Sequence, residues 1–288
     1  MSEQPLLKVR DLVVTYRLGT AFGASSKRVF EAVRKVSFEI AAGQGFALVG
    51  ESGSGKTTIS RAILGLVPVS GGSIEFDGKD VTGHGRSVPA SFRRDVQVVF
   101  QDPRSSLNPQ RTIRDAIGSV LDRHFALSRR QTDDRIAELL HNVGLPSYHM
   151  QRFPGELSGG QRQRVAIAKA LATKPRLLVC DEPVSALDVS TQSQILNLLS
   201  DLRQQFGLAY LFISHDLAVV RQVAEAVAVL HRGVIVETGP TEQIYQNPSH
   251  AYTKMLLSSV PNHDPRGREE RRAARAALRV SSSANANV

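Results

Sequence analysis

The chain has 288 residues, 41% of them hydrophobic and 22% charged, with a formal net charge of +9 and a single cysteine. This composition fits a globular protein large enough to bury a full core, and it excludes a largely disordered chain. No apolar run approaches the ~18 residues needed to cross a bilayer, and Met1–Arg10 lacks the apolar centre of a signal peptide, so a cytoplasmic protein is expected.

In chain order, Leu6 to Thr15 and Val33 to Ile40 are rich in β-formers and partly alternate, with Gly19 to Ser26 between them as a loop. Tyr16, at the end of the first segment, is placed either to stack on a purine or to pack within this small β layer. Phe46 to Val49 then reads as a buried strand, and Ile59 to Leu66 carries apolar residues at helical spacing. Between them lies Gly50-Glu51-Ser52-Gly53-Ser54-Gly55-Lys56-Thr57-Thr58, a complete phosphate-binding loop pattern in the strand–loop–helix context it requires. Glycines at 50, 53 and 55 let successive backbone N–H groups turn inward, and the helix start adds positive potential, so an anionic phosphate is the expected guest. Lys56 is expected on the β- and γ-phosphates and the Thr57 hydroxyl on Mg²⁺.

Gly71 to Gly78 reads as turn, short strand and turn, completing the β layer. Asp95 to Phe100 is an apolar strand that ends at Gln101, a polar side chain where a sheet faces ligand, and Pro103 stops it. Helices are expected over Ile113 to His124 and Thr132 to Val143, the second closed by Gly144. Leu157-Ser158-Gly159-Gly160-Gln161 leads into a further helix through Ala172, with Ser158 as its N-cap and a second anion-seeking helix start. Arg176 to Glu182 is a buried strand ending in two carboxylates, a costly arrangement unless they serve metal or catalysis. Cys180 in this strand rules out an internal disulfide and any multi-cysteine zinc site, and is expected to be an inert buried thiol. Ser185 to Asp188 is a loop, Val189 to Phe206 an amphipathic helix, and Leu208 to Ile213 a strand followed by His215, which is read as a phosphate contact in preference to a surface histidine. In the C-terminal tail six arginines, at 266, 268, 271, 272, 275 and 279, face three acidic residues. On a helix, those at 268, 271, 272, 275 and 279 would share one face and could meet anionic lipid or an acidic partner, with a solvated or disordered tail the favoured alternative.

With these motifs in this order, residues 6 to 260 resemble the nucleotide-binding subunit of an ATP-binding cassette (ABC) transporter. The signature Leu157 to Gln161 is the family's own, and Cys180-Asp181-Glu182-Pro183, Ser185 to Asp188 and His215 follow at family spacing. The resemblance implies an α/β fold: a P-loop ATPase core with a mostly parallel sheet, an antiparallel β subdomain and a helical signature subdomain. It implies a nucleotide-binding domain over 6–245 with the helical part at about 102–165, a C-terminal extension at 246–262 and a basic tail at 263–288. ATP and Mg²⁺ are the implied ligands. Lys56, Thr57 and Thr58, with Gly50, Ser52, Gly53, Ser54 and Gly55, would cradle the phosphates. Thr57, Gln101 and Asp181 would serve the metal, Glu182 would act as general base, and His215 and Gln101 would assist. Tyr16 corresponds to the adenine-stacking aromatic, while Ser158, Gly159, Gly160, Gln161 and Asp188 would meet nucleotide held by a second cassette.

A finer resemblance is to ATPase subunits of oligopeptide, dipeptide and nickel importers, through Phe100 to Pro103, Ser106 to Pro109 and Asn247 to Thr253, with Ala251 in place of a usual proline. It implies permease subunits in the membrane, a second ATP-binding subunit, an extracytoplasmic solute-binding protein acting indirectly, and a peripheral position on the cytoplasmic face of the inner membrane. The iron–sulfur site of many members is not expected, for lack of cysteines. A soluble ABC ATPase working on nucleic acid or ribosomes is the competing function; the absence of coiled-coil insertions and of a second cassette argues against it. Nickel, opines and glutathione are the other cargo candidates.

Overall fold

The computed structural model describes residues 4–18, 28–83, 85–103 and 106–259. The basic tail and the loop expected at Gly19 to Ser26 lie outside these residues. The chain begins with two long antiparallel strands, β1 (Leu7–Leu18) and β2 (Arg28–Ile40). Both run further than their apolar patterning suggests, because Tyr16 pairs with Phe30 and Leu18 with Arg28 beyond the alternating stretch. Strand β3 (Gly45–Val49) is buried throughout and feeds helix α1 (Lys56–Ile63). That helix starts and stops earlier than its apolar spacing suggests, since Gly65, at φ 66°, turns the chain in the left-handed region just past its end.

Strands β4 (Gly71–Phe76) and β5 (Lys79–Asp80) complete a four-stranded antiparallel sheet in the order β2-β1-β4-β5. A short helix α2 (Ala90–Asp95) precedes β6 (Val96–Val99). Then come α3 (Ile113–His124) and α4 (Arg129–Asn142). Helix α4 begins one turn before its apolar pattern because Ser128 and Gln131 form a reciprocal capping box. Helix α5 (Gly159–Leu171), strand β7 (Leu177–Asp181), helix α6 (Val189–Phe206) and strand β8 (Ala209–Ser214) follow, and then α7 (Leu217–Val223). Strands β9 (Ala226–His231) and β10 (Val234–Pro240) form a hairpin, and α8 (Thr241–Gln246) and α9 (Ala251–Ser259) close the described chain.

The central sheet has the order β10-β9-β3-β8-β7-β6 and is parallel except for its β10 edge. Its inner strands are buried on both faces, which explains why they read as unbroken apolar runs. Alternate residues separate into two cores. Ala47, Val49, Leu178, Cys180, Tyr210 and Phe212 face a core shared with α3 to α9. Phe46, Leu48, Leu177, Val179, Leu211 and Ile213 face one shared with α1 and the antiparallel sheet. Ile59, Ala62 and Ile63 of α1 sit in this second core, so the helix that follows the glycine loop is clamped between two sheets. Cys180 is fully buried, and burial pushes its thiol pKa far up, so the thiol is inert as expected.

Candidate functional site

The ends of β3, β7 and β8, neighbours in one sheet, carry the chemistry. After Val49 the chain turns through Gly53 (φ 80°) and Gly55 (φ 110°) into α1. Only glycine fits at two points of this loop: a Cβ on Gly50 would lie 2.1 Å from the Leu230 carbonyl, and one on Gly55 2.5 Å from that of Ala32. Lys56 is 4% exposed and folds back across the loop, donating to the carbonyl oxygens of Gly50 at 2.7 Å and Glu51 at 2.8 Å. Burial lowers its pKa, against the pull of the Glu182, Asp181 and Glu51 carboxylates. The ammonium therefore lies at the mouth of the loop, held by weak partners that an anion can replace.

Asp181 closes β7 with 7% exposure and is met by two hydroxyls of α1, from Thr57 to Oδ1 and Ser60 to Oδ2, each at 3.3 Å. Burial raises its pKa, outweighing these hydrogen bonds. A buried carboxylate with two long hydroxyl contacts, beside a threonine oxygen, suits a hard divalent cation. Among the described residues no group of three or more His, Cys, Asp or Glu could hold a metal by itself. A cation at Thr57 and Asp181 therefore relies on ligand oxygens and water to fill its shell, the usual condition of Mg²⁺ at a phosphate site.

Glu182 follows with φ 49°, a left-handed backbone that L side chains rarely adopt, and its N–H donates to the Ile213 carbonyl of β8 at 3.0 Å. This sharp turn at the strand end aims its carboxylate out of the sheet, where Oε2 lies 3.3 Å from His215 Nδ1. Gln101 is exposed just beyond β6. Tyr16 is half-buried and packs against the second core. Ser158 caps α5 through a reciprocal box with Gln161 and is exposed, while Gly159, Gly160 and Gln161 behind it are half-buried. Asp188 caps α6, and hydrogen bonds from Ser190 and Thr191 hold its carboxyl well below the usual range. A Cβ on Gly160 would fall 2.5 Å from the Thr191 methyl, so the signature helix and the start of α6 are packed as one unit.

The sequence profile of the ABC transporter family matches residues 33–185, and that of the oligopeptide/dipeptide transporter C-terminal region matches 236–284. The chain belongs to the ABC transporter family. It is 49% identical over 260 residues to a "Putative peptide import ATP-binding protein" of Brucella abortus (strain 2308), covering 90% of this chain and 78% of that one. It is 48% identical over 262 residues to the glutathione import ATP-binding protein GsiA of Escherichia coli (strain K12), covering 91% of this chain but spanning only 42% of GsiA. Among solved structures it is similar to cbiO1 of Clostridium perfringens, part of the ABC transporter complex cbiONQ (TM-score 0.73, 25% identity, 85% of this chain and 92% of that one). It is also similar to the dimeric ATP-binding cassette MJ0796 bound to ADP and Pi (TM-score 0.71, 28% identity, 82% and 98%).

In this ABC cassette three contributors to the site escaped sequence reasoning. Ser60 shares the Asp181 carboxylate with Thr57; its signal was its place three residues on, on the same helical face. The Gly233 N–H, at the β9–β10 turn, donates to the Ser54 carbonyl at 2.8 Å and braces the loop from behind. The Tyr252 hydroxyl of α9 accepts from the Glu51 N–H at 3.1 Å. Residues 179 and 201 apart in sequence carry these last two contacts, and no local pattern announces them.

Proposed function

We propose that the chain is an ATP-hydrolysing, energy-coupling subunit of a membrane importer for oligopeptides or dipeptides. The carrying observation is the convergence of Lys56, Thr57, Asp181, Glu182 and His215 at the ends of three adjacent strands. ATP phosphates enter the glycine loop, displace the Gly50 and Glu51 carbonyls from Lys56 and take the backbone N–H groups of residues 53–58. Mg²⁺, when bound at Thr57 and Asp181, neutralises charge on the β- and γ-phosphates. Glu182 orients and deprotonates the attacking water, with His215 steadying its carboxylate and contacting the γ-phosphate. Gln101, at the edge strand, reports occupancy to what docks there, and Tyr16 offers its open face to adenine.

Ser158, Gly159, Gly160, Gln161 and Asp188 serve the ATP of a second cassette in a head-to-tail dimer, closing when both ATP molecules bind and opening after hydrolysis. The start of α5, a capped helix N-terminus behind the exposed Ser158, supports this role. No helix of the described residues is long and apolar enough to cross a membrane, and the cargo's path is assigned to permease subunits. An open groove lined by Leu64, Leu66, Phe92, Val98 and Phe100 beside the end of β6 supports their docking at the cytoplasmic face of the inner membrane. The C-terminal match favours peptide cargo delivered by a solute-binding protein.

The test is Glu182→Gln. It keeps the volume and backbone but removes the base, so ATP binding should persist while turnover falls by about 10²–10⁴-fold. Radiolabelled ATP binding and phosphate release measure the two separately. Turnover at the wild-type rate removes Glu182 from the role of base.

A further inference from the structure

The C-terminal stretch Asn247 to Thr253 has no role in the hydrolysis chemistry, yet it reaches the phosphate loop. Tyr252 is 6% exposed, and its ring stacks on His231 at 4.0 Å between centroids and 19° between planes. The start of α9 is pinned to β10: Glu237 accepts from the Ser249 N–H at 2.7 Å, the Ser249 hydroxyl at 2.8 Å and the His250 N–H at 3.0 Å. His250 Nδ1 in turn accepts from the Tyr252 N–H at 3.1 Å. With ring and backbone both fixed, the phenol is delivered to one point, the Glu51 N–H. Burial raises the phenol's pKa, so it stays a neutral hydroxyl.

The carbonyl of the same residue, Glu51, is one of the two that hold Lys56. A single residue thus has its N–H fixed by α9 and its oxygen on the lysine. We propose that Tyr252 is a positioning residue of the nucleotide site, fixing the entry of the phosphate loop through Glu51 and so making the C-terminal extension a determinant of ATP affinity. This rests on the ATP-binding reading of the loop. Tyr252 touches none of the reacting groups, so its loss acts on how much ordering the loop undergoes when ATP binds, and leaves the hydrolytic step alone.

Tyr252→Phe keeps the ring stacked and the core filled while deleting the one oxygen. In the full chain, KM and Kd for ATP should rise about fivefold, the equivalent of one ordinary hydrogen bond, with kcat at saturating ATP unchanged. KM within twofold of wild type overturns the proposal, as does a joint fall in kcat and unfolding midpoint, which marks a merely structural role. Lys56→Ala runs alongside. If it abolishes ATP binding while Tyr252→Phe changes nothing, only the Tyr252 proposal fails; if the wild-type chain binds no ATP, both readings fall.

Discussion

Asp181 and Lys56 carry opposite charges in the same site, yet burial works against the charged form of each. Their stabilising partners are deliberately incomplete: two hydroxyls at 3.3 Å for the carboxylate, two carbonyls for the ammonium. The bound state supplies what is missing, an anion for the lysine and a cation for the aspartate. Lys56→Ala should therefore weaken ATP binding itself, by at least tenfold, where Glu182→Gln spares it; equilibrium binding of a fluorescent ATP analogue distinguishes the two. Ser60→Ala removes one of the two donors to Asp181 and should cost about 1 kcal/mol of stability, read in urea. The residues of this site were largely legible from sequence, because the loop, the paired carboxylates and the histidine follow strands whose apolar runs mark them. What was not legible is how they are held. The left-handed backbone of Glu182 and the contact of Ser60 depend on where β8 and α1 lie in space.

At the level of elements, helix caps do double duty. Ser158 closes the start of α5 by its reciprocal box with Gln161, and the same N-terminus is the proposed contact for a second cassette's ATP. The two roles separate by substitution. Ser158→Ala should lose about 1 kcal/mol of stability with the cap. Ser158→Asp retains a good cap but presents a negative charge to the γ-phosphate, so stability should hold while ATP-driven dimerisation of the Glu182→Gln background disappears from sedimentation profiles. Strand and helix positions followed from apolar periodicity, but their ends did not. Helix α4 began early at the Ser128 box, and α1 stopped early before Gly65. The β9–β10 hairpin carried no motif of its own, and the resemblance over Asn247 to Thr253, which enters α9, gave no sign that this stretch braces the loop. Helix α9 depends on Glu237, whose carboxyl burial would raise but which the donors of Ser249 and His250 hold down at about 2. A depressed carboxylate contributes stability that is fully present above its unfolded value near 4.5 and is lost as pH falls toward 2. Hydrogen exchange of the α9 amides should accordingly speed up across that window, and Glu237→Gln should flatten the response.

For the whole molecule, the proposed assembly has three faces: the phosphate loop with its strand ends, the α5 start for a second cassette, and the groove beside β6 for a permease. Leu66 is 53% exposed on the last of these, although it is a large apolar residue. Leu66→Asp should leave ATP turnover of the isolated chain unchanged and reduce its recovery with permease-containing membranes several-fold in a pull-down; equal recovery would exclude this groove. The division of the sheet into two cores places Ile59, Ala62 and Ile63 of α1 at the centre of the second, between the layers. Truncating Ile59 to alanine should cost about 2–5 kcal/mol. The same enclosure governs how the protein fails on heating. A catalytic loop on the surface of one layer can melt alone and silence an enzyme well below its unfolding temperature. Here the helix that anchors the loop cannot loosen unless both sheets part, so heat inactivation and global unfolding should follow a single curve, with no temperature range in which an intact fold is idle.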